Sequence, residues 1–250
     1  MKTNTQLSVR NYDESRLLLL GKVKEGRSVY YATKRLIDFT LSLALLILFA
    51  PLMLLIAGVI YLDSPGPIFF SQERVGAKRY KQGKEWYWIK TQFRCYKFRT
   101  MIPNADTKVH QQYVKALIEN NKEQMDALQG ELTESRKLVN DSRLIRSGKL
   151  LRKFSLDELP QLWNVLVGDM SMVGPRPAIP YEVELYSQWH LRRLEAQPGI
   201  TGLQQITARS TEFDRQVQLD IEYIENQSWW LDTLIALKTP FAVISGKGAY

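Results

Sequence analysis

The chain has 250 residues, 45% of them apolar, with a formal charge of +8 at pH 7. That apolar content suffices for a core and excludes a chain disordered throughout, while the positive excess points to anionic partners: lipid head groups, phosphorylated substrates or nucleic acid. A lone cysteine, Cys95, excludes an intramolecular disulfide, and His110 and His190 lack metal-ligand spacing and read as ordinary surface or interface positions.

The first marked element is the run FTLSLALLILFAPLMLLIAGVIYL at residues 39–62, which carries no charge. As a helix it extends roughly 36 Å at 1.5 Å per residue, enough for a bilayer core, and its length without a polar stripe argues against a buried core helix. Pro51 at its middle removes a backbone hydrogen bond and predicts a kink. Lys22, Lys24, Arg27, Lys34 and Arg35 precede the run; Arg74, Lys78, Arg79, Lys81 and Lys84 follow it. Positive charge ordinarily marks the cytoplasmic end alone, so basic flanks on both sides suit a bent hairpin with both ends on that face. A plain spanning anchor is the alternative. Asp38 is expected to pair with Lys34 or Arg35 on the same helical face.

The cluster DSPGP ends this helix. Short β-like pieces follow, IFF, WYWI and FRCYKFR, with the basic stretch VGAKRYKQGK between the first two. In YKFRT, Lys97 and Arg99 alternate about Phe98, which on a strand turns both cations to one side as a phosphate-facing rim or a solvated face. Residues 105–138 are polar and helix-prone. Val114, Leu117, Met125, Leu128 and Leu132 recur at helical intervals, and Gly130 is a candidate break, predicting an amphipathic helix or helical hairpin that packs on the domain or on a second copy in a homodimer. Residues 213–237 are again helix-like. Trp229 and Trp230 suit either a membrane–water interface or core packing.

The densest stretch is LRKFSLDELPQLWNVLVGDMSMVGPRP, residues 151–177. Ser155 and Glu158 have capping-box spacing, predicting a helix start at Ser155 with Asp157 and Glu158 in the first turn, although Pro160 could itself begin the regular helix. Adjacent carboxylates between Arg152 and Arg176 suggest phosphoryl transfer. One carboxylate attacks phosphorus or activates a nucleophile, a divalent ion neutralises oxygen charge, and arginines grip phosphate. Spacing alone equally allows Glu158 to cap its own helix.

These pieces resemble the bacterial sugar transferase family, the small monotopic phosphoglycosyl transferases: KRLIDF at 34–39, the Pro-centred apolar run, FFSQERVG, YKFRTM, the block at 151–177 and QPGITGLQQI at 197–206. The resemblance implies an α+β, mainly helical fold in which an N-terminal, Pro-broken re-entrant membrane helix packs on a small cytoplasmic catalytic domain. The implied division is an extension at 1–33, the membrane helix at 34–64 with Lys34, Arg35, Asp38 and Pro51 shaping the hairpin, and a catalytic domain at 65–250 with an insert near 105–138.

By the same resemblance, the chain takes a phosphosugar from a UDP-sugar, releases UMP, and passes the phosphosugar to polyprenyl (undecaprenyl) phosphate. The place of action is the cytoplasmic face of the bacterial inner membrane, and the step is the first membrane step of surface glycan assembly. Asp157 is the implied nucleophile, forming a covalent intermediate. Glu158 completes the dyad, and both carboxylates are implied ligands of Mg2+. Arg152, Arg176 and Arg209 are the implied phosphate-binding arginines, joined by Lys97 and Arg99. The family often has Ser before the central Pro, where this chain has Ala50, and Q-V-N-G-R after QPGITG, where it has QQITAR following Leu203. A non-catalytic membrane scaffold for glycan-assembly proteins is the alternative. No nucleic acid is expected, because no helix-turn-helix, zinc-finger or RNA-binding signature accompanies the charge.

Overall fold

A computed structural model describes residues 19–102, 108–129, 143–207 and 212–244. The fold is mixed α/β and mainly helical. A short strand β1 (Leu19–Lys22) precedes the long helix α1 (Ser28–Asp63), and then a hairpin of two fourteen-residue strands, β2 (Phe69–Gln82) and β3 (Glu85–Phe98). The three strands form one sheet in the order β1-β3-β2, antiparallel throughout. The β-like pieces of the sequence are thus a single hairpin, and the basic stretch that separated them is itself strand. Gly83, at φ 62°, supplies the left-handed residue that turns it.

Helix α1 begins at Ser28, six residues before its expected start, because Tyr30 and Tyr31 have a hydrophobic site to fill. They bury with Val23, Ala77 and Trp88, and their hydroxyls donate to Asp232 and Gln227, each at 2.8 Å. The far end of α1 is buried too. Ile56 and Ile60 join Phe98, Ile145 and Leu151, each such side chain contributing roughly 1.5–3 kcal/mol by leaving water. Between these ends the apolar outer face has no cover: Ile47, Leu54 and Leu62 are 68%, 74% and 85% exposed. The helix is long and apolar enough to cross a membrane, and it runs on through Pro51.

The polar residues at the start of this apolar run do not pair with one another. Lys34 reaches Asp232 at 2.8 Å, Arg35 donates to the carbonyls of Val165 and Leu166, and Asp38 accepts from the Met172 backbone N–H at 2.9 Å. The expected pairing of Asp38 with Lys34 or Arg35 is replaced because each side chain finds a partner beyond α1: a carboxylate for Lys34, and backbone groups of the 151–177 block for Arg35 and buried Asp38.

Helices α2 (Lys108–Ile118) and α3 (Lys122–Gln129) form the expected helical hairpin. The chain turns at Asn120, with φ 52°; Gly130 and Leu132 lie outside the described residues. Val114 and Ile118 pack against Phe213 and Val217 of α8 (Phe213–Asn226), so this hairpin rests on the domain itself. Helix α4 (Arg146–Lys153) leads into the central block. Beyond it come α5 (Gln161–Val167), β4 (Ser171–Val173), α6 (Pro180–Glu184), β5 (Gly199–Thr201), α7 (Leu203–Thr207), α8 and α9 (Trp229–Ile244), with β4 and β5 pairing in parallel. His190 is buried rather than superficial: Nδ1 accepts from the Ser187 N–H, so Nε2 is the nitrogen that donates to Asp214. Trp230 is largely exposed, and Trp229 is half-exposed while donating to Thr33 at 3.0 Å.

Candidate active site

The capping box at Ser155 does not form. Ser155 sits in the left-handed region at φ 53° and makes no side-chain cap, and the following turn, Leu156–Glu158, is a 3₁₀ helix. Regular helix waits until Gln161, with Pro160 at the N-cap. Proline has no N–H to give to the preceding turn, so the block divides there. Asp157 and Glu158 therefore stand on a tight turn wedged between α4 and α5.

Strand β3 brings its last residues to this turn. Lys97 Nζ lies 2.7 Å from Glu158 Oε1 and 4.0 Å from Asp157 Oδ2, bridging the two carboxylates. Asp157 is buried and Glu158 more open. Burial pushes the Asp157 carboxyl above the ordinary carboxylate range; Lys97 opposes this, Glu158 adds to it, and Arg152 also favours the anion. Arg152, in the last turn of α4, is held by a 3.1 Å hydrogen bond from Nε to Thr100 Oγ1. A buried carboxylate poised between cations and a second acid is suited to nucleophilic attack at a phosphoryl centre.

Arg99 is placed elsewhere. It lies just past the end of β3, and its buried guanidinium donates to the carbonyls of Ser64 and Pro65, fastening the exit of α1. Strand alternation stops at Phe98, so Arg99 does not share the face of Lys97. Arg176 is exposed on the loop after β4. That loop is pinned to β2: the Val75 N–H donates to the Ala178 carbonyl at 2.8 Å, and buried Arg74 donates to the Pro177 carbonyl at 3.0 Å. Arg209 lies outside the described residues.

Two supporting groups escaped the sequence reading. Asn164 is fully buried and ties α5 to β3 beside Lys97. Asp232 gathers Tyr30, Lys34 and Tyr223 at the base of α1. An Asn inside the apolar string QLWNVLV was the signal for the first, since a polar side chain on a buried helix face needs partners. Asp232 lies far along the chain and gave no local signal.

Among the described residues no three acidic, histidine or cysteine side chains converge as a metal cage. Two adjacent carboxylates do fit Mg2+, which is commonly held by one or two carboxylates together with substrate phosphates and water.

A family model described as bacterial sugar transferase matches residues 29–246. The chain is 37% identical over 248 residues to the undecaprenyl-phosphate galactose phosphotransferase of Salmonella typhimurium, covering 99% of this chain and 48% of the relative. It is 41% identical over 252 residues to the galactosyl transferase CpsE of Streptococcus agalactiae, covering 97% and 51%. The exopolysaccharide production protein ExoY of Sinorhizobium fredii is 37% identical over 219 residues, covering 87% of this chain and 88% of the relative. The chain thus spans about half the length of two of these relatives and most of the third.

Proposed function

Because the chain belongs to the bacterial sugar transferase family, we propose that it moves a phosphosugar from a UDP-sugar to polyprenyl phosphate, with undecaprenyl phosphate as the natural acceptor. The reading rests on one observation above the others: Lys97, Arg152, Asp157 and Glu158 converge on one turn inside the matched segment.

The Asp157 carboxylate attacks the sugar-bearing phosphorus. A bond forms from Asp157 oxygen to phosphorus, and the bond to the UMP oxygen breaks. An oxygen of polyprenyl phosphate then attacks the same phosphorus, restoring Asp157 and yielding the diphosphate-linked sugar. Glu158 and Asp157 would hold Mg2+ together with the donor's phosphates, and the bound ion would supply charge neutralisation for the departing UMP. Lys97 favours the ionised form of Asp157 against the opposing effect of burial, and Arg152 and Arg176 grip phosphate oxygens.

Helix α1 is read as entering one leaflet and returning to the cytoplasmic face. This is supported by the sheet: β1 precedes α1 and is hydrogen bonded to β3, which follows it, so both flanks belong to one folded body. Pro51 stands within the lipid-facing part, where the bend is expected.

The deciding experiment is UMP release from a panel of UDP-sugars, UDP-galactose first, with Mg2+ and undecaprenyl phosphate, comparing wild type with Asp157→Asn. Release by wild type alone supports the reading. Silence across the panel, or equal release by both proteins, overturns it and returns attention to a scaffold role.

A further inference from the structure

Away from the acidic turn, β1, the start of α1 and the tip of the β2–β3 hairpin enclose a concavity of about 240 Å3. Its most distinctive wall is Arg79. The register pairs Arg79 with Trp88 and Lys81 with Trp86, so these side chains share the sheet face that Tyr31 covers. Where Tyr31 stops, the Arg79 guanidinium lies 4.5 Å from its ring centroid and 5.6 Å from that of Trp86.

Stacking occupies the faces of a guanidinium and leaves its N–H edges for an acceptor. Among the described residues no carboxylate pairs with Arg79, and the partial burial that lowers its pKa is opposed only by the Tyr31 hydroxyl. The two acids in the wall are already engaged. Glu25 and Glu85 both bind Lys22, at 3.0 and 2.6 Å, and Glu85 also accepts from the Tyr87 hydroxyl. Exposed Lys24 and Lys84 complete the lining, so cations outnumber acids around a guanidinium with open edges.

We propose that this concavity binds a phosphate-bearing anion, gripped by the edge of Arg79 and attracted by Lys24 and Lys84. A phosphate accepts paired N–H bonds from a guanidinium fork, and the volume admits such a group. Ser28, the first residue of α1, also lines the space, which brings it to the root of the lipid-facing helix. The shared chemistry admits two sources, an anionic phospholipid head group and a soluble phosphate compound. The proposal stands independently of the transferase reaction.

The test uses the full chain in phosphatidylcholine nanodiscs and reads the rate at which Lys84 is acylated by a water-soluble ester, with exposed Lys122 as the internal comparison. Inorganic phosphate is added at constant ionic strength, or part of the lipid is replaced by phosphatidylglycerol. At ligand levels about ten times the Kd, Lys84 modification slows about tenfold relative to Lys122. Slowing by phosphate identifies a soluble source, and slowing by phosphatidylglycerol alone identifies a head group; either effect is lost in Arg79→Gln. Should Arg79→Gln fold poorly, Lys24→Gln, at an exposed strand-flanking position, weakens the same protection. Unchanged Lys84 rates, equal slowing of Lys122, or full protection retained in the variants overturns the site.

Discussion

Asn164 and Tyr96 are joined by a 3.1 Å hydrogen bond from the Tyr96 backbone N–H to the Asn164 side-chain oxygen, while the Asn164 amide donates to the Arg94 carbonyl at 2.7 Å. One side chain thereby closes the edge of β3 that β1, paired only at residues 87–89, leaves open. Lys97 is the next residue along. Asn164→Asp keeps the acceptor but sets a carboxylate oxygen against the Arg94 carbonyl, a loss of about 1–3 kcal/mol. Chemical denaturation measures that loss. UMP release is expected to fall mainly in kcat, because Lys97 is displaced from the acidic pair. Unchanged stability and rate together would show that the edge closes without Asn164.

Asp157→Asn separates catalysis from folding. Burial raises the Asp157 carboxyl above its unfolded value, so above the unfolded pKa the folded state is disfavoured by having to ionise it. Removing the charge is expected to abolish UMP release while leaving the melting temperature unchanged or raised. A marked fall in melting temperature would instead make Asp157 a structural anchor.

The pH dependence of phosphosugar capture follows from the same group. With Asp157 as the proposed nucleophile the reactive form is the anion, so single-turnover rates are expected to rise with pH through a midpoint above the ordinary aspartate range. Lys97 is the largest influence holding that midpoint down. Lys97→Gln should move the acid limb to higher pH, beyond any overall loss of rate. A limb that stays in place or moves down excludes Asp157 as the titrating nucleophile.

Gly168 ends α5 at φ 87°, and a Cβ there would lie 3.2 Å from the Arg35 guanidinium carbon. Gly168→Ala combines left-handed strain with displacement of Arg35, an expected loss of about 1–2 kcal/mol. Arg35→Gln removes the charged donor to Val165 and Leu166, with an expected loss of about 1.5–3 kcal/mol. Because both changes strike one contact, their effects measured by denaturation should be less than additive in the double variant.

Topology is accessible to cysteine labelling, since native Cys95 is buried and gives little background. Val29→Cys, in the first turn of α1, and Lys81→Cys place exposed thiols before and after the apolar run at 39–62. Both are expected to resist a non-permeant reagent in intact cells and to react in inverted vesicles. Reaction from opposite sides would establish a full span.

Much of this was legible in local pattern. An uncharged run of this length without a polar stripe pointed to a long apolar helix suited to lipid, and the apolar spacing of residues 114–128 to an amphipathic helix or helical hairpin, of which the hairpin is found. The adjacency of Asp157 and Glu158 was plain, but not their backbone. The S-x-x-E spacing of Ser155 and Glu158 fits a capping box, yet Pro160 and left-handed Ser155 make a 3₁₀ turn. Side-chain direction at strand ends was also opaque: alternation carries Lys97 to the acids but says nothing of Arg99, which leaves the strand to hold the end of α1. The partners of Asp38 and Lys34 depend on contacts over more than a hundred residues, which no local spacing encodes.

The pairing of Leu19–Lys22 with residues 87–89 closes a chain loop that contains the whole apolar helix α1. During synthesis, β1 emerges well before its partner and must wait until the helix has been made and the hairpin has followed. On the re-entrant reading proposed above, that strand stays on the side of the bilayer where β3 is made. Membrane insertion and completion of the sheet are then linked, and a helix threaded otherwise would leave β1 without its partner. The sheet would act as a check on how the helix is inserted.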